Sequence, residues 1–175
     1  MAYSGFISDG DYARKSKNEE IEGKWVFKDE INFNKVIKGT VIASYYADLA
    51  EYYECDRTEL LPQGTLVKFG GKKEITKTRK NDRKCFGIIS SEPGFILNKK
   101  ESDHHVPVAL TGRVPCRVRG FIKKFDKLTT SKVPGVAKKK TLWDTICGKP
   151  TIGVALESKD VMTEKLVEIF VRIQK

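Results

Sequence analysis

The sequence has little of what marks membrane and secreted proteins. No apolar run approaches the roughly 18 residues that a membrane helix needs. The N-terminus has no apolar stretch of signal-peptide length and no cleavage pattern. We therefore expect a protein that is made in a cytosol and has no membrane insertion.

The four cysteines lack the close pairing of metal sites. They stand at positions 55, 85, 116 and 147, and no two form the C-x-x-C pairs typical of zinc ligands. Each has apolar neighbours, as in KCFGII and DTICG, which is typical of a buried reduced thiol. We expect four buried thiols, no metal site and no cofactor.

Residue patterns of catalysis are also scarce. The only histidines, His104 and His105, follow a polar stretch that predicts a surface loop, and no H-x-x-x-H or G-x-S-x-G motif is present. Asp48 and Glu51 would share a face at helical spacing, although an acidic surface is the default interpretation. The residues themselves predict no enzyme activity.

Short runs rich in Val, Ile and Phe dominate the chain after residue 60. Their length, their partial alternation and the turn signals between them predict strands of an all-β barrel or sandwich. One short helix is expected at ADLAEYYE, residues 47–54. The predicted strands are residues 66–70, 74–78, 85–90, 106–112, 113–118, 151–156 and 165–173.

The first part of the chain has a different pattern. Within residues 23–43, apolar bursts of two residues alternate with polar ones, and strands this short cannot bury themselves in a monomer. Either several identical chains wrap around one axis or a hairpin docks on the main domain. We divide the chain into an oligomerising arm, residues 1–43, and an all-β domain, residues 44–175.

The charge is asymmetric along the chain, which has a net charge of +10. Residues 1–62 hold 8 Lys and Arg against 12 Asp and Glu, whereas residues 63–175 hold 25 against 11. A basic hairpin could track a phosphate backbone at residues 72–84, which hold 7 basic residues against 2 acidic ones. Because no aromatic platform accompanies that run in the sequence, a nucleic-acid partner is expected to be absent, and any binding nonspecific.

Several blocks, taken in order, resemble the C-terminal domain of bacteriophage tail-fibre and virion appendage proteins. This family is related to the self-cleaving intramolecular-chaperone domains of phage spikes and neck appendages. The resemblance covers residues 45–171. It is carried by YYADLAEYYECD, LLPQGTLVKFGGKKEIT, CFGIISSEPGFILN, VPVALTGRVPCRVRG, KKFDKLTTSKVPGVA, IGVALES and VEIFV.

The resemblance implies a structural virion protein that forms a homotrimer and docks to other virion proteins. The expected location is the virion, after synthesis in the host cytoplasm. One departure is the family's K-G-D-L turn, where Phe125 replaces the glycine and Lys127 is an extra residue, which predicts a bulged or longer loop. The residues expected to line the three-chain interface are Trp25, Phe27, Ile31, Phe33, Val36 and Ile37.

Two alternatives remain open. A self-cleaving domain needs a nucleophile or acid at the junction of arm and domain, where Ser44, with Asp48 or Glu51 nearby, is the only candidate. A tip that binds a host receptor or glycan would expose aromatic side chains such as Phe95 or Trp143.

Overall fold

A computed structural model describes residues 47–56, 61–100, 102 and 104–174. The predicted arm, its six interface residues and Ser44 lie outside this part of the chain, and the boundary between residues 43 and 44 stays a prediction. None of the described helices is long and apolar enough to cross a membrane. The elements are β1 Asp48–Glu54, β2 Leu66–Phe69, β3 Ile75–Lys77, β4 Cys85–Ile89, β5 Phe95–Leu97, β6 His105–Val118, β7 Lys127–Thr130, β8 Ala137–Lys139, α1 Leu142–Ile146, β9 Thr151–Ala155 and β10 Lys165–Gln174.

The ten strands form one mostly antiparallel sheet, which confirms the predicted all-β class. Strand β6, 14 residues long, is shared by two closed rings of paired strands. Its second half pairs with β10, which continues through β9, β7 and β8 back to β6. Its first half pairs with β1 and β4, and β4 continues through β2 and β3. A bridge between Cys55 and Ile75 returns β3 to the end of β1. We call these the C-terminal ring and the N-terminal ring.

The two rings have cores of unequal size. The larger cluster includes Val114, Val167 and Ile169 of the C-terminal ring and extends to β2 and β4. The smaller cluster is centred on Val67, Ile75 and Val108 in the N-terminal ring. Burial of apolar surface therefore stabilises the C-terminal ring more strongly.

The segment predicted as a helix, residues 47–54, is strand β1, so that prediction was wrong. Asp48 and Ala50 alternate toward the interior, at 6% and 0% exposure, and β1 pairs with β6 along its whole length. Successive side chains in a strand point to opposite faces. Glu51 therefore lies on the face opposite Asp48, and the two carboxylates do not act together.

Every predicted strand lies on an observed one, and the two predicted at residues 106–112 and 113–118 are the single strand β6. Gly112 lies within β6 at φ +103°, where its missing side chain allows the backbone to continue past Ala47. Strands β5, β7 and β8 and helix α1 were not predicted. Gly70 and Gly71 lie in the hairpin turn that joins β2 to β3, where Gly70 N–H donates to Glu74 O at 2.9 Å.

Two local predictions were wrong. Cys55, Cys85 and Cys116 are buried and reduced, but Cys147 is exposed because α1 lies on the surface. The loop expected at Phe125 is instead a tight turn, in which Asp126 N–H donates to Lys123 O at 3.0 Å. Phe125 adopts φ +71° in the position where the family has glycine.

Candidate functional site

A cavity of about 200 Å³ lies where the chain enters the described domain. Its walls come from the start of β1 and the residue before it, from Gln63, from the turn that follows β4, and from facing positions of β6 and β10. Its polar lining includes Asp48, Gln63, Ser90, Ser91, Glu92, Arg113 and Glu168, and Ala47 lies beside Asp48.

Backbone contacts fix the entry point of the chain. Ala47 O accepts a hydrogen bond from Arg113 N–H at 3.0 Å. A Cβ at Gly112 would come within 2.2 Å of Ala47 O, so only glycine permits this approach. The peptide that precedes Asp48 is therefore held against β6.

Asp48 is the buried carboxylate of the cavity. Its Oδ1 accepts a hydrogen bond from Gly94 N–H at 3.2 Å, donated by the turn before β5. Its Oδ2 is buried and has no partner among the described residues. An unpaired buried polar atom lowers the stability of the folded chain by about 1–3 kcal/mol. A function of this oxygen would explain why the chain tolerates that cost.

Hydroxyl and amide groups line the same cavity as this carboxylate. Ser90 is buried, and its backbone N–H donates to Pro107 O at 3.0 Å. Ser91 Oγ accepts from Gln63 Nε2 at 2.6 Å. The Arg113 guanidinium makes no ion pair with an acidic residue of the described ranges. The cavity thus combines the carboxylates of Asp48, Glu92 and Glu168 with hydroxyls and one positive charge.

The remaining sequence candidates lie elsewhere. On the opposite face of β1, Glu51 Oε2 accepts from Tyr53 OH at 2.7 Å, and burial together with this carboxylate raises the pKa of Tyr53 to about 12. His105 is opposite Glu54, about 20 Å along β1 from Asp48 at a strand rise of about 3.4 Å per residue. No cluster of three metal-ligating side chains occurs among the described residues.

Sequence reasoning missed Gln63, Ser90, Ser91 and Arg113 as neighbours of Asp48. Ser90 and Ser91 stand between a predicted strand and the Glu92–Gly94 turn signal, which was the one available indication. Phe95 and Trp143, named as possible receptor contacts, are 60% and 73% exposed.

The family is decided by a match that includes the predicted boundary between residues 43 and 44. The model of the Peptidase_G2 family, described as the IMC autoproteolytic cleavage domain, matches residues 5–106. The chain belongs to this autoproteolytic family. Membership does not confirm the expectation of no catalytic activity and is consistent with the self-cleavage alternative.

Solved structures agree with this autoproteolytic family at the level of the fold. The pre-mature bacteriophage phi29 gene product 12 matches with TM-score 0.59 and 17% identity, over 79% of this chain and 24% of that one. The C-terminal fragment of the same gene product matches with TM-score 0.54 and 18% identity, over 71% of this chain and 100% of the fragment. The match spans about a quarter of the pre-mature protein. None of the curated proteins matches this sequence significantly. The expected resemblance to phage appendage C-terminal domains is confirmed.

Proposed function

We propose that this chain is the self-cleaving assembly domain of a bacteriophage virion appendage, which cuts its own backbone just before β1. The observation that carries the proposal is the buried Oδ2 of Asp48, which has no partner among the described residues and lies in a cavity beside the peptide that enters β1. Membership in an autoproteolytic family supports the reaction type. Two solved structures of bacteriophage phi29 gene product 12, one of the pre-mature protein and one of its C-terminal fragment, support the virion location.

The reaction is hydrolysis of one peptide bond. In the proposed route, Ser44 Oγ attacks the carbonyl carbon of Ala43 and gives up its proton to the Asp48 carboxylate. The Ala43–Ser44 amide bond breaks, an ester forms, and Asp48 returns the proton to the released amine. Water then hydrolyses the ester and leaves a carboxyl group on Ala43 and the hydroxyl on Ser44. An extended chain places Ser44 at most about 14 Å from Asp48, so a bend in these four residues is required.

The other cavity residues take supporting roles. Arg113 is suited to stabilise the negative charge that develops on the carbonyl oxygen of Ala43. The Gln63–Ser91 hydrogen bond holds the wall of the cavity. These roles predict that Arg113→Gln slows cleavage, whereas Glu51→Gln, on the other face of β1, leaves it unchanged.

Intact mass of the purified full-length chain tests the proposal. The wild type is expected to give two fragments with a cut near Ser44, and Asp48→Asn is expected to remain a single species of 19.8 kDa. Ser44→Ala separates the two chemical routes, because loss of cleavage supports an attacking serine and retained cleavage supports water activated by Asp48. A wild type that stays intact, or an Asp48→Asn variant that still cleaves, contradicts the proposal.

A second candidate is a purely structural virion protein without cleavage. The short apolar bursts around Trp25, Phe27 and Ile31 favour it, because such strands need neighbouring chains to bury them. Homotrimer formation and docking to other virion proteins are then the function. Light scattering that shows a trimer of intact chains would support this candidate and remove self-cleavage.

The host-receptor alternative depends on exposed aromatic side chains. Phe95 and Trp143 both meet that requirement. Binding on a glycan array that is lost in Phe95→Ala or Trp143→Ala would support a receptor role, and an array without hits would count against it.

A further inference from the structure

An exposed aromatic stack lies at the end of β1 remote from Asp48. The rings of Phe69 and Phe86 stack with centroids 3.8 Å apart and planes 7° apart. Tyr53 packs edge-on against both rings. Phe69 is 57% exposed, and because Phe86 covers one face of its ring, the opposite face is available. The strands thus build a platform from residues that are far apart in sequence.

A groove of about 510 Å³ joins this platform to basic side chains. Phe69, Phe86, Arg83 and Lys84 line it, together with Pro150 and Ile173. Its volume falls within the range of about 300–1,000 Å³ that is usual for ligand clefts. The groove therefore offers an aromatic floor beside two cations.

Four cations of the basic run 72–84 form no ion pair with the acidic residues that the structure describes. Within the described residues, Lys68, Lys72 and Lys73 pair with Asp or Glu. No ion pair of that part of the chain involves the exposed side chains of Arg79, Lys80, Arg83 or Lys84. These four positive charges lie on the segment that leads into the groove and are available to a polyanion.

We infer that this surface binds single-stranded nucleic acid, with a base stacked on Phe69 and phosphates along Arg79, Lys80, Arg83 and Lys84. Stacking of bases on aromatic rings within a basic groove is the mode of proteins that bind single strands without sequence preference. A duplex hides the faces of its bases, and the one described helix has only five residues, too short to read a major groove. The inference revises the expectation of no nucleic-acid partner, which depended on the lack of an aromatic platform.

Fluorescence anisotropy of a labelled oligothymidylate of about 20 nucleotides, titrated with the full-length chain, tests the inference. The logarithm of the binding constant should fall with the logarithm of salt concentration with a slope of about −3, since each neutralised phosphate contributes about −0.7. The double substitution Arg83→Ser and Lys84→Ser should reduce this slope to about −1.4. The charge-matched control replaces two exposed lysines, Lys99→Ser and Lys100→Ser. This control variant should bind the oligonucleotide more tightly than the Arg83→Ser and Lys84→Ser variant.

The ring substitutions separate stacking from charge. Phe69→Ala should weaken binding about tenfold with the salt slope unchanged, and Phe69→Tyr should stay within about twofold of the wild type. Phe125→Gly removes a ring beside Lys124 that is 68% exposed and should have no effect on binding. Circular dichroism checks that Phe69→Ala is folded.

Several outcomes would overturn the inference. These are no binding at about 50 mM salt, unchanged affinity in Phe69→Ala, or equal affinity for polyphosphate or polyglutamate, which carry charge without bases. The last result would assign the surface to an acidic polymer or polypeptide. All readouts use a surface remote from the proposed cleavage site, so they are independent of whether the chain cleaves itself.

Discussion

Two buried aspartates, one at each ring, have nearly the same exposure but different surroundings. Asp144, at 5% exposure in α1, pairs with Lys138 and Lys149 and accepts hydrogen bonds from the backbone N–H and the hydroxyl of Thr141. Asp48, at 6% in the N-terminal ring, accepts a hydrogen bond from the backbone N–H of Gly94, and its other oxygen has no partner in the part of the chain that the structure describes. The comparison separates a carboxylate that stabilises the fold from one that is available for chemistry.

The two rings differ in the same way as the two aspartates. The C-terminal ring has the larger core, and beside it the buried amine of Lys159 donates to the carbonyls of Gly120 and Val161. The N-terminal ring carries Asp48 and the exposed aromatic stack. Asp48 and the aromatic stack therefore lie on the ring with the smaller core, although the cavity of Asp48 extends to β10 of the other ring.

The largest expected effect on stability comes from a substitution at Gly112, where β6 passes from one ring to the other. Gly112→Ala places a Cβ 2.2 Å from Ala47 O and adds strain at φ +103°, so we expect a loss of about 3 kcal/mol in the free energy of unfolding. Gly120→Ala has φ +89° but nothing within 4 Å, and should lose only about 1 kcal/mol. Urea unfolding measures both variants, and equal losses would show that the contact with Ala47 is unimportant.

The next experiment compares the two aspartates directly. Asp144→Asn removes the charge that two lysines share, and should lower the free energy of unfolding by about 2–3 kcal/mol. Asp48→Asn removes a carboxylate that has no cationic partner within residues 47–56, 61–100, 102 and 104–174, and should change the free energy of unfolding by less than about 1 kcal/mol. Chemical denaturation at pH 7 measures both. A larger loss for Asp48→Asn would assign it a structural role.

The pH dependence provides a control for Asp144. Although burial opposes it, hydrogen bonds from Lys138, Lys149 and Thr141 hold the pKa of Asp144 well below its usual range. Its stabilising contribution is therefore complete above the unfolded-state pKa of about 3.9 and is lost as the pH falls through the lower folded-state value. Asp144→Asn should lose less stability than the wild type on acidification below about pH 4.

The cysteines differ in their accessibility to reagents, and this difference should have a smaller effect. Burial raises the pKa of Cys85 to about 12 and raises that of Cys116 further, so neither forms a thiolate in the folded chain at neutral pH. Cys147 is exposed. A thiol-reactive disulfide reagent should modify one cysteine rapidly in the native protein and four after unfolding. Rapid modification of a second cysteine would show that one of the rings opens readily.

The smallest expected effect is a gain in stability. Phe125→Gly removes a residue held at φ +71° and should stabilise the chain by about 1 kcal/mol, if the exposed ring contributes little. Phe125→Ala keeps the strained backbone and should show no such gain. Thermal unfolding measures both, and an unchanged or lower midpoint for Phe125→Gly would mean that the Lys124–Phe125 contact offsets the strain.

The helix that was predicted at residues 47–54 shows why local pattern can mislead. The segment ADLAEYYE places apolar residues at helical spacing and also alternates Asp48, Ala50 and Tyr52 on one face. Pairing with β6 decided between the two patterns, since long-range contacts override weak local propensity. The converse occurs at α1, where a capping box from Thr141 and Asp144 begins a helix whose apolar side chains stay exposed and give no core-facing pattern.

The sequence by itself determined the all-β class and the position of most strands, because alternation and turn residues act over a few neighbours. Its ordered blocks also indicated the family. Tertiary structure alone decided that β6 joins two rings, that Asp48, Ser90 and Arg113 line one cavity, and that Phe69 stacks on Phe86. Such contacts depend on strand register, because a shift of one residue would move every side chain of a strand to the opposite face of the sheet.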